Sequence, residues 1–283
     1  MSPFQIQPQC YACLTRLLDL TLTLATEDAA RRAAVRRQTR AVLEAAFTPK
    51  AIPARLATTF HRQIMVATGN ADPFLPKKQQ ETALAKQVAA QLTGRQPRRP
   101  EDLLALAAVG NALDFFSTAA DLSPDMLRQV NFPAAARTAW ENSLRRGPGL
   151  LLYLADNAGE QFFDLPLVQF LRSGGWQVYY VVKGGPIQND LTGEDLAASG
   201  LAEALAPVLS TGAATVGLDL TCTSSHFKEL FRAADLILAK GMGHFETLAH
   251  LDDPRLFFLL RAKCQPVAAA LGVPRHSFVL RQA

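Results

Sequence analysis

The chain reads as an α/β protein: a three-layer, Rossmann-like, mostly parallel sheet in the second half, with an N-terminal all-helical domain packed on it. Three observations predict this. Up to about residue 146 the apolar residues recur at helical spacing with no alternating pattern. After Arg146-Gly147-Pro148-Gly149, short apolar runs alternate with amphipathic stretches, which implies right-handed strand–helix–strand crossovers. Finally, 49% of the 283 residues are apolar, enough to fill the core of one large domain or two smaller ones. The change of pattern divides the chain into a helical domain at 1–146 and an α/β domain at 147–283.

In the first half, Leu14, Leu17, Leu18 and Leu22 set the helical period. Breaks at Thr48-Pro49, Asp72-Pro73, Gly94 to Pro100 and Ser123-Pro124 leave room for about five to seven helices. In the second half the strand candidates are Leu150 to Leu154, Trp176 to Val182, Leu236 to Ala239, Leu256 to Leu260 and Ser277 to Leu280, with a weaker one at Pro207 to Leu209. Phe163 to Leu171 and Phe227 to Ala234 are amphipathic helices between them.

Composition narrows the class. No run approaches the ~20 apolar residues of a membrane helix, and Met1 to Cys10 lacks the pattern of a secretory signal. Four cysteines, Cys10, Cys13, Cys222 and Cys264, are too few for a disulfide framework, and a cytoplasmic protein is expected. The net charge of +4 is low for a nucleic-acid binder of this length. Arg31, Arg32, Arg36, Arg37 and Arg40, without interleaved aromatics, read as a solvated helix face. Arg95, Arg98 and Arg99 fall in a Pro-containing connector.

The chemistry gathers in three loops, each directly after a predicted strand: Asp156-Asn157-Ala158-Gly159-Glu160, Lys183 to Asp190, and Lys240-Gly241-Met242-Gly243-His244-Phe245-Glu246. In an open α/β sheet, ligands bind beyond the carboxyl ends of the strands, so these loops share one crevice. Asp156, Asn157 and Asp190 offer hard oxygen ligands suited to Mg²⁺ or Mn²⁺ rather than zinc. Lys240, with backbone N–H groups freed by Gly241 and Gly243, suits a phosphate. Each loop also has a plainer reading: Asp156-Asn157 as a helix N-cap, Asn189-Asp190-Leu191-Thr192 as the cap of the helix through Glu194, and Lys183 and Lys240 as ordinary loop lysines.

At this point the residues carry a resemblance. LYLADNAGEQFFDLPL, VVKGGPIQND, ADLILAKGMGHFETL and RAKCQPVAAALGV resemble, in order, signature segments of the damage-control phosphatase family, first catalogued as domain of unknown function eighty-nine and also called ARMT-like. Cys10-Tyr11-Ala12-Cys13, Asp72-Pro73 with Lys77, and Gly110-Asn111-Ala112-Leu113-Asp114-Phe115 extend the resemblance into the helical half. The CxxC is similar to that of a mainly prokaryotic subgroup.

The resemblance implies a divalent-metal-dependent phosphatase (Mg²⁺, Mn²⁺, Co²⁺ or Ni²⁺) acting on small phosphorylated metabolites such as sugar phosphates or damaged phosphometabolites. By matching position, Asp156, Asn157 and Asp190 would bind the metal and carry the catalysis. Lys240 with Gly241 would hold the substrate phosphate, Glu160, Asn189 and Glu246 would line the pocket, and Asn111 and Asp114 would reach in from the helical half. One departure stands out: many relatives read Gly-Gln-Gly-Asn-Phe-Glu after the lysine, where this chain has Met242 and His244.

Two rival readings make different demands. An adenosylmethionine-dependent carboxyl methyltransferase calls for a glycine-rich turn after the first strand, and Gly241-Met242-Gly243 lacks the third glycine of a dinucleotide fingerprint. A non-enzymatic scaffold binding through the helical half leaves the polar loops without a purpose. Cys10 and Cys13 read as packing, metal or redox residues; a zinc site would have to recruit Cys222 and Cys264. His61, His226, His250 and His276 show no ligand spacing and read as structural or surface residues, while His244, in the Lys240 loop, is a candidate for proton transfer.

Overall fold

The computed structural model describes residues 4–93, 99–112 and 126–283. Among the described residues six strands form where the apolar runs lie: β1 (Leu150–Leu154), β2 (Gln177–Val182), β3 (Val208–Ser210), β4 (Leu236–Lys240), β5 (Leu256–Arg261) and β6 (Phe278–Gln282). They make one sheet in the order β3-β2-β1-β4-β5-β6. All neighbouring pairs are parallel except β5 with β6. The order reverses between β1 and β4, which opens the switch-point crevice between their carboxyl ends.

The strands are apolar throughout because the sheet is covered on both faces. Leu151 and Tyr153 of β1 belong to one core and Leu152 and Leu154 to the other, as period-two alternation requires. The second-half helices are α8 (Gln161–Ser173), α9 (Gly193–Ala198), α10 (Ala202–Leu205), α11 (Ser225–Ala233), α12 (Gly241–Leu248) and α13 (Gln265–Leu271). Phe163, Leu167 and Leu171 of α8 cover the first face, and Phe227 of α11, Phe245 of α12 and Val267 of α13 cover the second.

The first half holds α1 (Pro8–Ala25), α2 (Ala29–Ala46), α3 (Pro53–Thr68), α4 (Leu75–Thr93), α5 (Pro100–Gly110), α6 (Met126–Gln129) and α7 (Ala134–Arg145). Pro at the first turn and Gly69 at the left-handed C-cap bound α3. Helices α1 to α3 close a core of their own around Leu14, Leu18, Phe60 and Ile64. Helices α4, α5 and α7 instead share the first sheet-face core, where Trp140 stacks edge-on against Phe257 of β5, ring centroids 5.3 Å apart. Packing therefore runs continuously across residue 146, where the hydrophobic period changes.

The basic face of α2 is partly paired, Arg36 with Asp19 at 2.6 Å and Arg40 with Glu44 at 3.1 Å, as expected of a solvated helix. Arg95, Arg98 and the break at Ser123-Pro124 lie outside the described residues. No described helix is long and apolar enough to cross a membrane.

Candidate active site

Of the two helix-cap readings of the polar loops, the first does not hold and the second holds at Thr192. The N-cap of α8 is Glu160, and neither Asp156 nor Asn157 caps it. The N-cap of α9 is Thr192, whose hydroxyl accepts from Asp195 N at 3.2 Å while Asp195 reaches back to Thr192 N at 3.1 Å, a capping box that leaves Asp190 out. Asp156, Asn157 and Asp190 are thus buried polar residues with no duty in helix starts.

Backbone pairing joins the first two loops. Asn157 and Asp190 form an isolated antiparallel bridge, Ala158 N donates to Asn189 O at 2.8 Å, and Leu191 N donates to Asp156 O at 2.8 Å. The third loop closes on the first through Gly241, whose φ is +82°. A Cβ there would stand 1.8 Å from Asp156 Oδ2, so the start of α12 presses on that carboxylate as only glycine permits.

A layer of amide donors feeds the carboxylates. Asn111, the C-cap of α5, donates to Asp156 Oδ2 and to Glu160 Oε1, both at 2.9 Å. Asn157 Nδ2 donates to Glu160 Oε1 at 2.8 Å and to Asp156 Oδ2 at 3.2 Å. Burial first, then the charges of Glu160 and Asp190, push Asp156 up to about 8, while Lys183 and Lys263 pull the other way. Burial likewise raises Asp190 to about 6 against the opposing pull of Lys183.

Both lysines are buried and already paired. Lys240 Nζ lies 2.5 Å from Glu160 Oε2 and 2.6 Å from Asp164 Oδ1, all three side chains without exposure. Tyr153 and Tyr180 each donate to Asp164 at 2.8 Å, and burial followed by the Asp164 charge holds both phenols well above their usual range. A phosphate reaching Lys240 would have to share its ammonium with two carboxylates. Lys183 Nζ donates to Gly217 O, stands 3.3 Å from His244 Nε2 and lies 3.2 Å from Asp190 Oδ2.

The remaining candidates sit around this centre. Asn189 Nδ2 donates to Glu81 of α4 at 3.0 Å, and its Oδ1 is buried without a hydrogen-bond partner among the described residues. Glu246 faces the helical half, accepting from Ala54 N in the first turn of α3 at 3.0 Å. Asp114 lies outside the described residues. Cys264 is brought near Cys10 and Cys13, whose charges with that of Glu246 act on its thiol, while Cys222 is exposed.

Several working residues escape a sequence reading. Asp164 had a signal, four residues after Glu160 and therefore on the same helix face. Lys263, whose charge acts on Asp156, stands just past the end of β5, as crevice residues do. His61, read from the sequence as structural or surface, is structural: it is buried in α3 and its Nε2 accepts Gln188 N at 3.3 Å, from a residue whose φ of +48° is unusual outside glycine.

The donor set fits a hard divalent cation. Asp156 and Asp190 carboxylates and the Asn157 amide supply oxygen, like charges are crowded in a buried place, and Asp190 Oδ2 is buried without a hydrogen bond among the described residues, the nearby Lys183 being an ion-pair neighbour only. Among the described residues no three His, Cys, Asp or Glu side chains are grouped as a metal cage. Such a cation would keep much of its shell for water and substrate, as Mg²⁺ does.

Known proteins match nearly the whole length of the chain. A family model described as the damage-control phosphatase ARMT1-like domain matches residues 6–279. A damage-control phosphatase of Pyrococcus horikoshii is 35% identical over 282 residues, 97% of each chain. Another damage-control phosphatase, of Archaeoglobus fulgidus, is 28% identical over 95% of this chain and 96% of its own. Among solved structures, a crystal structure of a DUF89 family protein from Pyrococcus horikoshii matches with a TM-score of 0.87 at 34% identity, covering 98% of this chain and 99% of that one.

Proposed function

Because the chain belongs to the damage-control phosphatase ARMT1-like family, we propose that it hydrolyses phosphomonoesters of small metabolites with a divalent cation held by Asp156, Asn157 and Asp190. The observation that carries this reading is the meeting of two buried carboxylates and an amide at the switch point between β1 and β4, beside the start of α12. When bound, the cation would polarise a phosphoryl oxygen and acidify a water.

The chain's own residues have separable duties. Asn111 and Asn157 orient Asp156 and Glu160 through their amide protons. Lys240 offsets the charge of Glu160 and Asp164 in the pocket floor. The backbone N–H groups that open α12 at Gly241 serve the phosphate, since the first amides of a helix have no partner within it. Lys263 adds positive charge from the end of β5. The substrate class is small sugar phosphates and related damaged phosphometabolites, and the free cysteines suit a cytoplasmic setting.

The test is a phosphate-release screen over sugar phosphates, nucleotides and phosphopantetheine-like compounds with Mg²⁺, Mn²⁺, Co²⁺ and Ni²⁺ supplied in turn. Activity is expected with at least one cation and to vanish in excess chelator. Asp156→Asn and Asp190→Ala should each lose at least about a hundredfold in turnover, roughly 2.7 kcal/mol. Undiminished turnover in chelator would overturn the metal reading.

A further inference from the structure

His244 stands in the first turn of α12, and its ring is held from both sides. Nδ1 lies 2.6 Å from the backbone carbonyl of Lys240. A carbonyl only accepts, so Nδ1 carries the proton. Nε2 lies 3.3 Å from Lys183 Nζ. An ammonium only donates, so Nε2 must offer its lone pair. The ring is 1% exposed, and both neighbours select one neutral tautomer.

The Lys183 ammonium then has three neighbours: it donates to His244 Nε2 and to the carbonyl of Gly217, and it stands beside Asp190 Oδ2 as an ion pair at 3.2 Å. Gly217 is itself pinned against α12, since a Cβ on it would meet Gly243 O at 2.2 Å. The loop before α11 and the first turn of α12 thus form one rigid socket. Two of the Lys183 protons are thereby committed within the socket, and its charge is delivered to Asp190.

We propose that His244 is a positioning residue: its neutral, Nδ1-protonated imidazole seats the Lys183 ammonium against Asp190 and so fixes that carboxylate for its ligand. The ring is not a proton-transfer group, because both nitrogens are spent. Its consequence for cation binding rests on the reading of Asp190 as a ligand. Glutamine in its place would carry an amide oxygen to about the position of Nε2, whereas asparagine reaches only as far as Nδ1.

The test combines two measurements on the full chain at neutral pH. Ring nitrogen shifts of ¹⁵N-histidine-labelled protein are expected to show His244 as the neutral Nδ1–H form, with the Nε2 shift moving in Lys183→Met. Titration with Mn²⁺ alone is expected to give affinity about tenfold weaker in His244→Leu and His244→Asn, and near that of the parent in His244→Gln, with thermal unfolding confirming that each is folded. An Nε2–H or doubly protonated His244, or folded His244→Leu with the parent's Mn²⁺ affinity, would overturn the proposal. If the parent binds no Mn²⁺, the reading of Asp190 fails, and the ring signal alone decides the seat of Lys183.

Discussion

Asn111 donates an amide proton to Asp156 across the seam between α5 and the end of β1, N to O 2.9 Å. The same nitrogen serves Glu160, and its carbonyl oxygen accepts Arg261 N at 3.1 Å. One side chain therefore ties the helical half, the loop after β1 and the end of β5. Asn111→Ala leaves the half-buried Arg261 amide without this acceptor and removes an amide serving both carboxylates. A stability loss of about 1–3 kcal/mol is expected, read by urea unfolding, with a fall in turnover exceeding what lost folding explains. Parental phosphate release from the folded variant would show that Asp156 and Glu160 do not need this amide.

Gly241 makes a sharper demand on the same carboxylate. With φ at +82° and Asp156 Oδ2 1.8 Å from where a Cβ would be, Gly241→Ala must displace either the start of α12 or the carboxylate. A misplacement of about 1 Å costs on the order of a hundredfold in rate, and that loss is expected here. Gly193→Ala is the control, because no atom lies within 4 Å of its added Cβ and its φ is ordinary. It should keep its turnover and gain a few tenths of a kcal/mol from the helix. Equal effects from the two substitutions would contradict the contact at Asp156.

The sheet was legible because a covered parallel strand must be apolar on both faces, and Leu150 to Leu154 announces itself. The three loops were legible for the same reason, as polar residues breaking off at strand ends. Partner choice was not. Lys240 reads in sequence as an anion grip, but its ammonium lies between Glu160 and Asp164, because a fully buried charge must be paired and only the fold decides with what. Lys78 is the same case, an exposed-looking lysine of α4 that is 2% exposed and held by Asp72 at 2.6 Å and Asp195 at 2.7 Å. Long-range pairs of this kind leave no local pattern. Asp164 left one, its spacing of four from Glu160.

Glu246 gives the stability curve a direction. Burial, opposed only by the Ala54 N–H, pushes its carboxyl up to about 8 from an ordinary value of 4.5. Between these values the folded chain keeps a proton the unfolded chain has released, so stability falls as pH rises from about 4.5 to 8. Glu246→Gln can still accept from Ala54 N, yet carries no charge to bury. Its melting temperature should match the parent's near pH 4.5 and exceed it increasingly up to pH 8. A constant difference across that range would mean that Glu246 is ionised in the fold throughout.

The thiols divide by burial in a way that chemical labelling can read. Cys222 is exposed, whereas burial foremost, then Glu246, Cys13 and Cys10, pushes the Cys264 thiol up to about 12. Cys10 is also raised, by burial first. The thiolate is the reacting species, so at pH 8 Cys264 should react about a thousandfold more slowly than a free thiol near its usual ~8.5. Ellman's reagent on the native chain should give a fast phase that peptide mapping assigns to Cys222, with Cys10 and Cys264 released only on unfolding. Because the Cys264 neighbourhood brings together the starts of α1 and α13 and Glu246 of α12, its release should track loss of that junction in a urea series. Rapid labelling of Cys264 in the folded chain would show that the junction opens on its own.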